Sequence, residues 1–287
     1  MVQQVLVNGH GMGCYYILIA VGLSTIYGVL GISHFAHGSV SMIGGYLCYL
    51  LVSNAGVPFV LAIIISMVFS AVLGVVIERF GYRPIRTSNA PGINVFIVAL
   101  GIGMLIDNLT QYFFGPDQVI IKTSLTGVVS FGTLKVSQMR LVLMAVTLVL
   151  IVLLVLYMQK TKLGKAIRAT AQNRDAAVMM GINTNVIIAL VFAISSAYGA
   201  VAGSFMGSLF AVYPSMGNGT VMKGFAVLIL GGLGSIPGTV VGGLIIGLFE
   251  ALCSFYISSD FKEIYAFAIM ILVLIIKPNG LLGRKER

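Results

Sequence analysis

Charge is what this sequence has least of. Asp and Glu number 8 and Lys and Arg 17 among 287 residues, 9% of the chain, where a soluble domain carries roughly 25%. So few charges cannot coat a water-facing globule of this size. Cysteine is scarce as well: Cys14, Cys48 and Cys253 lie in or beside apolar runs with no paired spacing. That implies no disulfide framework or zinc site and suits small buried hydrophobes. Met1 to Gly13 holds no Lys or Arg, so the basic region of a secretory signal is missing and no segment is expected to be removed. A Walker A phosphate loop, a zincin motif and a Ser, His, Asp constellation are also missing, which argues against enzyme chemistry and against an ATP site of the chain's own.

Hydrophobic residues make up 59% of the chain, and the mean hydropathy is +1.06. Runs such as Leu141 to Met158, Val186 to Leu209 and Ile264 to Ile276 are apolar on every face. About 20 such residues in a helix cross a bilayer, whereas barrel strands alternate with period 2. The expected fold is therefore an all-α polytopic membrane protein, a single transmembrane domain over 1–287 with about 8–9 transmembrane helices. Glycine, proline and charge cut it into spans near 14–32, 38–53, 58–78, 93–114, 139–158, 186–210, 218–232, 239–257 and 262–277. Gly and Pro beside the first two and the seventh mark them as possible broken or re-entrant segments.

Basic residues set the orientation. Arg79, Arg83 and Arg86 share one loop, Lys160, Lys162, Lys165, Arg168 and Arg174 another, and Lys277, Arg284, Lys285 and Arg287 the tail. The positive-inside rule assigns all three to the cytoplasm, C-terminus included. Topology and attraction to anionic membrane lipid then account for the net charge of +9 without nucleic acid. The stretch 115–138 falls on the outer side, and alternation around Val119, Ile121, Val128, Val129 and Phe131 predicts a short hairpin.

One glycine-rich patch runs through Gly28, Gly31, Gly38, Gly44 and Gly45, and a second through Gly231, Gly232, Gly234, Gly238, Gly242, Gly243 and Gly247. They mark either an internal structural repeat or simply close helix packing. Between Lys160 and Asn185 lies the longest polar segment. Its helix formers predict one amphipathic helix over about 165–181, ended by Gly181 in a left-handed conformation. Ile167, Ala171 and Val178 fall on one stripe, with Arg168, Gln172, Asp175 and Met179 on the next. Such a helix either lies in the headgroup layer or docks on another protein.

Polar residues inside spans are candidates for a translocation path. Asp107 and Gln111 share a helix face with Asn108 beside them, Glu250 sits too deep for a surface charge, and His34 and His37 flank Phe35 three positions apart. Asp107 either meets a cation or makes an interhelical hydrogen bond. Glu250 is expected to face the bundle interior, protonated or hydrogen-bonded. Lys223 either faces an anion at a half-helix N-terminus or snorkels outward. Two imidazoles at i and i+3 can share a metal, but no third ligand stands nearby, so no metal site is expected.

"DAAVMMG" (Asp175 to Gly181) resembles the acidic-Ala-Ala, three residues, Gly signature of ABC importer permeases. "GVLGISHFAHGSVSMIGGY" (Gly28 to Tyr46), "GINTNVIIALVFAISSAYGAVAG" (Gly181 to Gly203), "AVLILGGLGSIPGTVVGGLIIGLFEAL" (Ala226 to Leu252) and "KPNGLLG" (Lys277 to Gly283) extend the likeness in order over nearly the whole chain. Together they are similar to the permease subunits of high-affinity branched-chain amino acid ABC importers. The resemblance implies a bacterial inner-membrane heterodimer with a homologous second permease, two ATPase subunits that bind ATP and Mg, and a periplasmic or lipid-anchored binding protein. It implies a cytoplasmic coupling helix, with Arg168, Gln172, Arg174, Asp175, Ala176, Ala177 and Gly181 facing the ATPase, and with Ala176 and Ala177 allowing close approach. Ile182 to Val191 lacks the Leu-Pro that often follows the glycine in the wider importer families. His37 and Gly38 match the family's Asn-Phe-Ala-His-Gly break, where His37 is expected to bond freed backbone carbonyls. His34 stands where Asn is commoner, and Asp107 where Gln is. The implied substrate is Leu, Ile or Val; urea, short amides or other amino acids are alternatives, and an ion-coupled secondary carrier is the alternative of another class.

Overall fold

The computed structural model describes residues 2–88, 91–123, 125–131 and 134–283. The expected cytoplasmic charges at Arg284, Lys285 and Arg287 lie outside the described residues. The chain folds into helices α1 (Val2–Leu30), α2 (His37–Ser53) and α3 (Phe59–Ile77), a π turn (Glu78–Tyr82), α4 (Arg83–Thr87) and α5 (Gly92–Phe114). A hairpin, β1 (Val128–Phe131) and β2 (Leu134–Ser137), precedes α6 (Gln138–Lys160), α7 (Lys162–Gln172) and α8 (Arg174–Met179). The chain closes with α9 (Thr184–Leu209), α10 (Met216–Gly231), α11 (Ile236–Tyr256) and α12 (Lys262–Ile276).

Among the described residues six helical segments are long and apolar enough to cross a membrane: α1, the run from α3 through α4, α5, α6, α9 and α11. The apolar helices α2, α10 and α12 have 17, 16 and 15 residues. All nine predicted spans thus coincide with helices, of which three are short. The largest difference is α1, which begins at Val2 instead of near residue 14. Glycine makes this extension possible: Gly9 and Gly13 press against the backbone of Gly247 and Gly243 in α11, and close backbone approach is what holds helices together where lipid offers no hydrophobic drive. Gln4 then exchanges side-chain and backbone hydrogen bonds with Lys135 of the hairpin, at 2.7 and 3.1 Å.

The helices form an inverted repeat, although the glycine patches are not its matching parts: the first flanks the α1–α2 break and the second the α10–α11 junction. In each half a long helix (α1, α9) is followed by a six-residue irregular segment (31–36, 210–215), a short helix (α2, α10) and a full helix (α3, α11). α11 runs antiparallel along α1, with Gly13 against Gly243 and Gly28 against Gly234. α3 runs antiparallel along α9, with Gly74 against Phe192 and Phe59 against Phe205. Each short helix packs beside the other half's long helix: Gly44 meets Ala200, and Gly224 meets Ile19 and Leu23. α1 and α9 cross with Gly22 near Ser195. This is the inverted-topology arrangement in which broken helices meet inside the bundle.

The hairpin pairs Val128 with Ser137 and Phe131 with Leu134. Val119 and Ile121 do not join it. They bond Val212 and Gly207 at 2.8 to 2.9 Å instead, fastening the loop onto the second break.

Candidate functional site

The two breaks bring the N-terminal turns of α2 and α10 together. A Cβ on Gly217 would stand 2.5 Å from the Gly38 carbonyl oxygen and 2.6 Å from the Ser39 nitrogen. Neither helix has a side-chain cap, so two helix N-termini, each with partial positive charge, converge inside the bundle. Asp107 of α5 lies beside them: its Oδ2 accepts from Asn218 Nδ2 at 3.3 Å, while Oδ1 has no partner among the described residues. Ser39 Oγ reaches the Gly103 carbonyl of the same helix at 3.3 Å. Asn108 and Gln111 are not part of this group. Both are exposed, and Asn108 bonds its own helix at the Met104 carbonyl. α5 touches the bundle through Ala99, Gly103, Asp107 and Thr110 and ends with Phe114 stacked on Tyr46 of α2, while Gln111 points away, so the expected face shared by Asp107 and Gln111 is not formed.

The histidines are buried and separate. His34 Nδ1 stands 2.5 Å from the Tyr82 hydroxyl in the π turn, with its ring edge-on to Phe192 and Tyr82. His37 Nδ1 meets the Ser195 hydroxyl at 3.2 Å, a side-chain partner where backbone carbonyls were expected. Gly22 makes room for its ring, since a Cβ there would lie 2.6 Å from His37 Cε1. Phe35 packs between Phe96 and Phe225. The two imidazole centroids are 6.0 Å apart, and no cluster of three His, Cys, Asp or Glu exists among the described residues.

Glu250 forms the second polar centre. Its Oε2 accepts from the Tyr16 hydroxyl at 2.7 Å, and Lys223 Nζ lies 3.2 and 3.4 Å from its two oxygens and 3.1 Å from the same hydroxyl. Glu250 is therefore ion-paired, and Lys223 turns inward instead of snorkelling. Such a pair sacrifices hydration of both charges, which is why intramembrane charges mark functional paths. Tyr16 and Asn218 carried no sequence signal: neither belongs to a spacing motif, and each has its partner 111 to 234 residues away.

The polar segment between α6 and α9 departs from expectation. Asn173 has extended backbone and its side chain caps Ala176 N–H at 2.9 Å, so the single predicted helix is two, α7 and α8. Asn competes well with helix as an N-cap. The stripes change accordingly: Gly164, Ile167, Thr170 and Ala177 face inward, and Ala171 and Val178 are exposed. Arg168 is exposed, with one guanidinium N–H turned back to the Met158 carbonyl at the end of α6, whereas Ala177 is 3% exposed and is not presented outward. Gln172, Arg174, Asp175 and Ala176 are exposed. Gly181 has φ +79°, as predicted, and the Gly181 and Ile182 N–H groups donate to the Val178 and Ala177 carbonyls, the pair of hydrogen bonds of a Schellman end. Arg86 differs too. It leaves the surface to pair with Glu78 at 2.8 Å and Asn185 at 2.9 Å.

An inverted repeat of apolar helices with broken segments meeting over polar groups defines a multi-pass membrane permease. The chain matches the family described as branched-chain amino acid transport system / permease component over residues 5–274, and it belongs to that family. It is 36% identical to the high-affinity branched-chain amino acid transport system permease protein LivH of Escherichia coli (strain K12), covering 99% of this chain and 96% of that one. It is 35% identical to BraD of Pseudomonas aeruginosa, with the same coverage. A probable LivH of Methanocaldococcus jannaschii is 29% identical over 93% of this chain and 88% of its own.

Proposed function

We propose that the chain is the membrane-spanning permease subunit of an ATP-binding cassette importer that moves leucine, isoleucine and valine across the inner membrane. The family match from residue 5 to residue 274 carries this reading. α2, α10 and α12 complete eight to nine crossings as broken or short segments. The end holding α4, α7, α8 and the C-terminal segment faces the cytoplasm by the positive-inside rule. Leu281 and Leu282 bond the end of α10, which supports a cytoplasmic C-terminus, and 115–138 is read as lying outside.

Two ATPase subunits supply ATP and Mg chemistry, a homologous second permease completes the membrane unit, and a binding protein delivers substrate. α8 is the coupling element. Its end exposes Val178 at 53%, Met179 at 88% and Met180 at 82%, with Arg174 and Asp175 beside them. Adaptable Met rimmed by charge suits a protein groove. Gln172, Arg174, Asp175, Ala176 and the Gly181 turn form the docking face, while Asp107, His34, Phe35, His37 and Glu250 border the path.

The test is uptake by the complete complex in proteoliposomes with ATP inside. ATP-dependent leucine entry supports the reading, and Asp175→Lys or Met179→Ser leaves hydrolysis running without uptake. Leucine entry driven by a proton gradient through this chain alone overturns it.

A further inference from the structure

Lys223 is held by a closed triangle. Tyr16 donates to Glu250, and Lys223 donates to both. An ammonium has three N–H bonds, here met by the Tyr16 hydroxyl at 3.1 Å and the two Glu250 oxygens at 3.2 and 3.4 Å, the last long enough to be exchanged for a better acceptor. Lys223 also lines a cavity of about 360 Å³, together with Asn218, Gly219, Met222, Glu263 and Phe267. Its walls have unlike chemistry. On the α10 side stand Lys223, which keeps Glu250 as its ion-pair partner, and the first turn of the helix, which has no side-chain cap and carries Asp107 on Asn218; an ammonium and a helix N-terminus each favour an anion. On the α12 side stands the Glu263 carboxylate, 3.8 Å from where a Cβ of Gly219 would sit. Met222 and Phe267 supply apolar surface between them.

We propose that this cavity is a subsite for an α-amino acid zwitterion with a branched aliphatic side chain. Lys223 and the first turn of α10 take the carboxylate, Glu263 takes the ammonium, and Met222 and Phe267 take the side chain. Tyr16 and Glu250 are positioning residues that hold the Lys223 head in place. An amine without a carboxylate leaves Lys223 unused, and a carboxylate without an amine meets Glu263 as a like charge, so only the zwitterion satisfies both walls. The proposal rests on the amino-acid reading above and adds a place inside the permease where the solute is held after delivery.

The experiment uses the whole complex with its binding protein, measuring the maximal uptake rate and the KM for leucine-loaded binding protein. The double variant Lys223→Gln, Glu250→Gln removes the pair without stranding either charge. It lowers maximal leucine uptake about tenfold with an unchanged KM for the loaded binding protein, the pattern of an interaction made after docking. Met222→Trp, which leaves the triangle intact, fills the cavity and lowers leucine uptake several-fold more than uptake of the smaller valine. This selectivity is a readout that a merely structural role does not move, and it decides the matter if the double variant does not assemble. Leucine uptake within about twofold of wild type in an assembled double variant, or equal loss of leucine and valine in Met222→Trp, overturns the subsite. A wild-type complex that transports no branched-chain amino acid overturns the functional reading instead.

Discussion

Gly38 and Gly217 lie backbone against backbone, each in the first turn of a short helix, and so join the two halves of the inverted repeat. Side chains larger than hydrogen do not fit. Gly217→Ala is expected to cost about 2–3 kcal/mol by overpacking, read as earlier loss of the monodisperse peak on heating in detergent. Gly101→Ala is the control, since nothing lies within 4 Å of a Cβ there. Equal stability of both variants would show that the junction is not tight.

The His34–Tyr82 bond ties the first break to the π turn. Tyr82→Phe leaves His34 Nδ1 buried without that partner and is expected to destabilise by about 1–3 kcal/mol. A melting temperature equal to wild type removes this link.

Glu78 is 1% exposed and its ion-pair partner is Arg86. Arg86→Ala strands a buried carboxylate and is expected to cost about 3–5 kcal/mol, whereas replacing both by apolar residues of similar size costs much less. The comparison is made by heating the two variants side by side, and equal losses would count against the stranded-charge explanation.

Asp107→Asn keeps a group able to accept from Asn218 while removing the negative charge beside the two helix N-termini. Leucine uptake is expected to fall with complex assembly retained. Full uptake in this variant would leave Asp107 as an interhelical hydrogen bond only.

His34 and His37 spend their Nδ1 atoms on different helices, Tyr82 in the π turn and Ser195 in α9. Exhaustive chelation is therefore expected to leave the melting temperature unchanged. Stoichiometric zinc in the purified protein would contradict this.

Much of the architecture is written locally. Apolar runs mark the nine predicted spans, Gly181 the left-handed turn after α8, and Gly31 and Gly38 the first break, because backbone conformation and hydrophobic length are properties of short stretches. Asn173 was legible on the same terms as an N-cap, yet the helix formers around it argued for continuity. What spacing cannot say is which way an apolar helix faces. In lipid, core and surface are both apolar, so α5 and α11 carry no periodic stripe that announces Asp107 or Glu250 as inward. Only the crossing of α1, α10 and α11 brings Tyr16, Lys223 and Glu250 together, and only the meeting of two breaks sets Asn218 beside Asp107. The sequence by itself determined the apolar helices and the first break, but neither the start of α1 nor the division of α7 from α8. The tertiary structure decided which polar groups meet, because that depends on helix rotation and close glycine contacts between segments as much as 234 residues apart.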